Sequence, residues 1–454
     1  MRRRRLLTWV LVLVIALVAV VFSRCDAEPP APSEAHLATP ATRPGEPLTA
    51  SARAEAPPPT ASAPSEVADA GRCDRAALDR LLRPLDADLL QQALTPGSDG
   101  GVDPVATLMG RLDRDALRAW SECRGDGDGG VTDVLSAIWE RLVRSRLEFN
   151  ATQAERWVER FCQQSAQVLK QPAFADAPRT RDAAVFLSGR IDWKSGHLPL
   201  PTGSLKLPTA LQDRIRRPGG IRAIQPADYA GLDFGWMHEF LEYDHWSLYG
   251  AGPLRDLDES AWNYTTWQLP NYQTLMDWAR ARLAKGVHEQ QFEQAAAEVR
   301  HLAQLCGSNE TIIGLRVRSR LYQLEREARA LTPLTPPPGL PTDEEITVQR
   351  ATIEAGRQLL LPGVPPAVRQ RALACAPSPC VALTEATAIT ASLREVVPGA
   401  AAHLAWLEAQ PGCESAFRAR VAKTAPYSPR GLEDVSLGLQ TFEVLLTPRP
   451  STGL

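Results

Sequence analysis

The chain has 454 residues, 44% of them apolar and 23% charged, which is the balance of an ordinary globular protein with room for two or three domains. Fifty basic residues set against fifty-three acidic ones leave a formal charge of −3. That near-neutrality excludes a global electrostatic pull toward nucleic acid.

The N-terminus reads as an export signal. Arg2 to Arg5 precede an apolar run from Leu6 to Phe22, broken only by Thr8. Seventeen residues make a helix of about 25 Å, slightly short of a hydrocarbon core of roughly 30 Å. The run still exceeds the usual apolar region of a signal peptide, about 7 to 15 residues. Residues 1–24 are therefore expected to be a single transmembrane signal anchor, with cleavage near Cys25-Asp26-Ala27 as the alternative. The arginines hold the N-terminal side in the cytoplasm, so the remainder is expected in the periplasm or outside the cell, or secreted if the signal is cleaved. Residues 25–71 follow as a spacer. From Ala27 to Ala70 there are ten prolines, thirteen alanines and no aromatic residue, so the stretch cannot bury enough apolar surface to fold.

The rest predicts a mainly α protein, a helical bundle or stacked helical hairpins with a long irregular central connection. The main helical domain is expected at 72–331. Leu78, Leu81, Leu82 and Leu85, then Val105 to Trp120, then Val134 to Leu147 recur at helical spacing. Asn150 reads as the N-cap of a further helix carrying Trp157 and Phe161. The loop Asp126-Gly127-Asp128-Gly129-Gly130 begins like a calcium loop. Val131 and Ala137 stand where such a loop needs glycine and a bidentate glutamate, so a turn between helices explains it better. Periodicity fades from about Asp192 to Pro226 among glycines and prolines.

Asp228 to Trp278 then gathers five of the seven tyrosines and five of the eleven tryptophans. One short helix is expected near Phe234 to Leu248, with turns at Gly250 to Pro253 and around Pro270. The clearest helices come next, from Leu275 to Cys306 and from Ile313 to Ala328, with Gly307 as C-cap and Asn309 as N-cap of the second. Five prolines between Leu331 and Thr342 mark a linker at 332–342. A capping box of Thr342 and Glu345 opens a smaller C-terminal helical unit, 343–447, with helices near 343–360, 381–396, 400–409, 413–424 and 431–446.

Five groups of residues carry candidate chemistry. If residues 234–248 are helical, His238, Glu242 and His245 fall within about 60° of one another on one face, where a divalent metal could take imidazole and carboxylate ligands. Glu239 and Asp244 are acid and base candidates for glycan hydrolysis, and Trp236, Tyr243 and Trp246 a candidate aromatic surface for a sugar. Glu298 and His301 repeat a Glu-x-x-His spacing, but His301 lies roughly 120° from the apolar face of its helix. Cys375 and Cys380 are near enough in sequence to bridge, Cys73 with Cys123 and Cys306 with Cys413 are other candidate pairs, and an odd count without Cys25 leaves one buried free thiol. No serine-hydrolase, phosphate-loop or dinucleotide motif occurs. The expectation is a non-enzymatic envelope binding or scaffold protein with no cofactor. Its partners are the membrane, through the N-terminal helix, and an envelope protein or glycan. The alternative is a metal-dependent or glycan-directed hydrolase using the His238, Glu242 and His245 face.

Overall fold

A computed structural model describes residues 73–439 apart from 87, 91–103, 125–128, 176–177, 195–202, 217–218, 249, 251–268, 412, 414 and 424–428. The signal segment, the spacer, the Asp126 loop and the turn at Gly250 to Pro253 lie wholly or mostly outside them. The described part is mainly helical, as its periodicity demands, with one two-stranded antiparallel ribbon, β1 (Trp193–Lys194) against β2 (Leu269–Pro270). Pro270 therefore sits in a strand rather than in a turn. No helix among the described residues is long and apolar enough to cross a membrane.

The first helices whose bounds are described are α1 (Arg75–Leu81), α2 (Pro104–Met109) and α3 (Arg114–Cys123). The expected single face from Val105 to Trp120 is two helices, because the Asp113 side chain accepts the Asp115 and Ala116 N–H groups and starts α3 afresh. They rest on α4 (Gly129–Leu169), 41 residues without an interruption and about 60 Å long. Sequence reasoning divides this helix at Asn150, and the structure corrects it. No proline or glycine breaks 131–169, and the Asn150 amide donates to Gln358 Oε1 at 2.8 Å instead of capping. Asn150 is buried, so its polarity serves a contact between helices.

The chain then runs through α5 (Ala184–Ser188), β1, α6 (Thr209–Arg216), α7 (Pro226–Tyr229) and α8 (Gly235–Glu239). The irregular connection thus contains a helix, α6, which buries Leu211 and Ile215. After β2 come the long helices α9 (Tyr272–His288), α10 (Phe292–Gly307) and α11 (Ile312–Arg329), packed on one another. The turn between α10 and α11 is very close. A side chain at Gly314 would meet Asn309 Oδ1 at 2.0 Å and the Cys306 carbonyl at 2.3 Å. Thr311, not Asn309, caps α11 by accepting the Gly314 N–H at 3.0 Å. Asn309 instead donates to the Tyr272 hydroxyl at 2.6 Å and accepts from Thr311.

Buried ion pairs join these helices. Arg282 of α9 meets Glu298 of α10 at 2.6 Å, and Glu325 of α11 holds Arg300 at 2.5 Å and Arg329 at 2.9 Å. Arg329 also grips Glu293 through two bonds of 2.6 and 3.1 Å.

The capping box of Thr342 and Glu345 opens α12 (Asp343–Leu359) as expected. It is followed by α13 (Pro366–Cys375), unanticipated, and by α14 (Pro379–Ser392), α15 (Ala400–Glu408), α16 (Ser415–Ala422) and α17 (Pro429–Gly438). Every residue of α14 from Val381 to Ser392 is buried, which marks a central helix covered on all sides. Within it the Glu385 carboxylate accepts the Ile312 N–H at the start of α11, and burial pushes its pKa up.

Two large apolar clusters make the core. One joins Val168 to Ala328 and holds Tyr229, Trp236, Trp246, Tyr272 and Trp278 of the aromatic stretch. The other joins the leucines of α1, Trp120 and the first half of α4 to Leu383, Leu407, Leu432 and Val435. A smaller one packs Trp157 and Phe161 of α4 on Leu359 and Val368. Residues on both sides of the 332–342 segment share these clusters, and the described residues from Cys73 to Leu439 form one compact unit.

Disulfides fasten it. Cys73 pairs with Cys123, Cys162 with Cys375 and Cys380 with Cys413, at Cα separations of 6.0, 5.2 and 5.2 Å. The first is as expected. The proposed Cys375 to Cys380 loop is corrected: the two cysteines end one helix and begin the next, and each is bonded to a different helix or loop. Cys306 does not reach Cys413. Among the described residues it is the free thiol, fully buried, and burial pushes its pKa up.

Candidate functional site

The residues singled out in the aromatic stretch depend on where α8 stops. Asp233 Oδ1 accepts the Gly235 N–H at 2.8 Å and starts the helix. One turn later it tightens to a 3-10 turn, Phe240–Glu242, and Tyr243 turns extended at φ −99°, ψ 145°. Backbone contacts from elsewhere capture the chain at this point. The Asp244 N–H donates to the Arg181 carbonyl at 3.0 Å, the Ala183 N–H donates to the His245 carbonyl at 2.8 Å, and His301 Nε2 lies 2.6 Å from the Tyr243 carbonyl. These long-range bonds replace the helical ones that continuation to Leu248 would need, so the expected helix over 234–248 is five residues long.

The common face of His238, Glu242 and His245 disappears with it. The His238 side chain is 73% exposed, and its nearest acid is Glu298 at 3.9 Å. Glu242 is 70% exposed and lies 3.7 Å from Arg181. His245 is largely buried, with Nδ1 2.8 Å from Asp244 and Nε2 3.9 Å from Asp182. Among the described residues no three His, Cys, Asp or Glu side chains are placed to share an ion.

Glu239 is exposed beside Arg190 at 3.5 Å. Asp244 is a structural acceptor. It takes the Thr180 N–H and hydroxyl, the Arg181 N–H and His245. Desolvation pushes its pKa up, but the Thr180, His245 and Arg181 hydrogen bonds together win and hold it well below the usual carboxylate range. The candidate aromatic surface is mostly interior. Trp236 and Trp246 are buried, and Tyr243 is half-buried against Phe186 with ring centroids 5.2 Å apart. Trp236 meets Trp278 of α9 edge-on at 5.6 Å, and Trp246 meets Tyr272 at 5.9 Å. Such contacts place the described part of the stretch as a wedge between the irregular connection and α9. Glu298 and His301 serve packing as well. Glu298 pairs with Arg282, and His301 stacks on Phe240 at 5.5 Å, where burial lowers its pKa.

A cleft that motif searching overlooks lies beside the wedge. It encloses about 400 Å³ between the 172–179 segment, the C-terminal end of α10, Arg318 of α11 and the start of α14 at Ser378 to Val381, with Asp244 and His301 on one wall. Arg179 spans it to Glu310 at 2.8 Å. Two of the three non-glycine residues with positive φ among those described, Glu310 (42°) and Ser378 (55°), line it. A Cβ at Gly307 would stand 2.5 Å from Arg318 Cδ, so a larger residue there would push the Arg318 side chain aside. The lining mixes two arginines with two carboxylates, hydroxyl and amide groups, and the Cys380 end of a disulfide. Ser308 does not offer a nucleophile, since its hydroxyl donates to the Leu305 carbonyl at 2.7 Å and accepts the Trp246 N–H at 2.8 Å. Five separate stretches of chain contribute, so no local motif announces the cleft. Comparison of the chain with protein-family models, with curated proteins and with solved structures finds no match.

Proposed function

We propose that the protein is an exported, membrane-tethered helical domain that acts by binding, as a scaffold or partner-recognition module of a bacterial envelope. The observation that carries export is the disulfide framework. Six of eight cysteines are paired, across sequence separations of 50, 213 and 33 residues, and such bonds persist in oxidising compartments. The Arg2–Arg5 and Leu6–Phe22 sequence adds a route to that compartment, and the 25–71 spacer a tether.

Binding rather than catalysis is favoured by the use made of the candidate residues. Asp244, His245, Glu298 and His301 are each engaged in holding one segment to another. His238, Glu239 and Glu242 face solvent apart from one another. The cleft beside Asp244, with its mixed charge, is the surface best shaped to receive a polar group of an envelope protein or glycan.

Export is tested by expressing the full chain in a Gram-negative bacterium, separating membranes, and treating spheroplasts with protease. The expected result is membrane-bound protein that protease digests from outside. Protein in the cytosolic fraction with reduced cysteines would overturn the reading.

A further inference from the structure

We propose that the cleft between α6 and the start of α9 is a binding site for the ring of a neutral sugar. It encloses about 410 Å³ and shares no lining residue with the cleft beside Asp244. Sites for small molecules fall at about 300 to 1,000 Å³. The inference goes beyond the binding role above, and it stands or falls without that other cleft.

Asp192 joins the two walls. Its carbonyl accepts the Asn271 N–H at 2.7 Å, which brings in the start of α9. Its carboxylate accepts the Gly203 N–H at 2.6 Å, which brings in the chain leading to α6. The cleft lies between 205–212 and the first two turns of α9, from Gln273 to Asp277.

The hydrogen-bonding groups along it are spent unevenly. Gln212 donates its amide to the Leu207 carbonyl at 2.8 Å, and Gln273 donates its amide to Asp277 Oδ1 at 2.6 Å. Each amide oxygen remains as an acceptor. Asn271 is the N-cap of α9 but makes no side-chain capping bond, and its Oδ1 is covered with no hydrogen-bond partner among the described residues. A covered acceptor without a donor is costly, and a ligand hydroxyl placed beside it removes that cost. The unspent groups lean toward acceptors, so a fitting ligand brings donors, and the Thr209 and Thr274 hydroxyls can turn to suit it.

Charge decides which donor. Asp277 is buried and answered by Arg280 at 2.7 Å, and the other carboxylate, Asp192, shares the lining with the exposed Lys206. Positive and negative groups balance, so an ammonium finds no carboxylate left over and a phosphate meets two of them. Neutral hydroxyls meet neither penalty. A sugar ring carries several along one edge, where amides and carboxylates can bridge them in pairs, and Leu205 and Leu207 give its C–H face a narrow apolar support. Among the described residues no aromatic ring lines the cleft, so the dissociation constant is expected on the order of 1 mM.

The test titrates the full-length oxidised protein, held in a sugar-free detergent, and follows each probe by saturation-transfer NMR. Glucose and N-acetylglucosamine are the neutral probes, and glucosamine and glucose 6-phosphate the charged ones. At least one neutral probe is expected to saturate, with both charged probes about ten-fold weaker or more. Gln212→Leu and Thr274→Val are each expected to weaken the neutral sugar about five-fold or more. No saturation by either neutral probe up to about 20 mM, tighter binding of a charged probe, or unchanged binding in both variants would overturn the proposal. If the variants do not fold, hydrogen exchange on the unaltered protein decides. The bound sugar is expected to slow exchange in peptides covering 203–216 and 271–279, and slowing absent from those peptides contradicts the site.

Discussion

The α9 to α11 helices and the segment from Thr180 to Leu248 touch along the same core, yet they are built on opposite principles. The three helices follow a period of three and four residues, and their buried charges are answered by neighbouring helices, Glu298 by Arg282 and Glu325 by Arg300 and Arg329. The segment has no long period. It is shaped by tryptophans that find pockets and by backbone bonds between residues some 60 positions apart, such as Ala183 with His245. Density of histidine and carboxylate in such a segment therefore reflects how it is fastened, before it reflects chemistry.

Several changes would break that contrast. The largest effect is expected in the segment itself. Trp246 is fully buried, and Trp246→Ala should cost about 3 to 5 kcal/mol in urea unfolding. A loss below about 1 kcal/mol would show that the wedge is not part of the core. On the helical side, Glu325→Ala takes Arg300 from its partner and leaves Arg329 to Glu293, and should cost about 3 kcal/mol, with Glu325→Gln recovering part of it. Equal stability of both variants and the unaltered chain would remove the ion pairs from the account.

Acidity separates a third site from both regions. His403 is buried, its Nε2 2.7 Å from the Leu360 carbonyl and its Nδ1 facing Arg369. Burial pushes its pKa from 6.5 down to about 4, against the pull of the Leu360 carbonyl and with the help of Arg369. Between those values the unfolded chain binds a proton that the folded one refuses. Stability from this residue is therefore complete above pH 6.5 and falls by up to about 3 kcal/mol as pH drops to 4. His403→Gln should flatten that part of a stability profile taken from pH 7 to 4. Asp244 works in a lower window. Its depressed pKa contributes stability above its unfolded value of 3.8, lost as pH falls further, and Asp244→Asn should remove about 2 kcal/mol at pH 7. Glu242→Ala, at an exposed side chain, should stay within about 0.5 kcal/mol.

The sequence made the helices legible where one face stays buried for several turns, as in α9, α10, α11 and α12. The Thr342 and Glu345 box was readable because a cap is a local bond. Asn150 misled because a good capping residue is also a good partner between helices, and only Gln358, 208 residues away, decides between the two. The length of α8 was equally hidden. Nothing near Tyr243 announces that Arg181 and His301 will take its neighbours' hydrogen bonds. Cys73 with Cys123 was one of two distant pairings that the sequence left open, and Cys375 and Cys380 invited a local loop that their separate partners exclude. The cleft had no local signal because its walls come from five parts of the chain.

Elemental analysis of the purified full chain, after equilibration with zinc, manganese and iron and removal of excess and beside His238→Ala treated alike, decides whether His238, Glu242 and His245 share a metal or serve the separate packing contacts described above. The expected result is less than about one-tenth of a metal per chain in both. One metal per chain, lost in His238→Ala, would contradict the packing role.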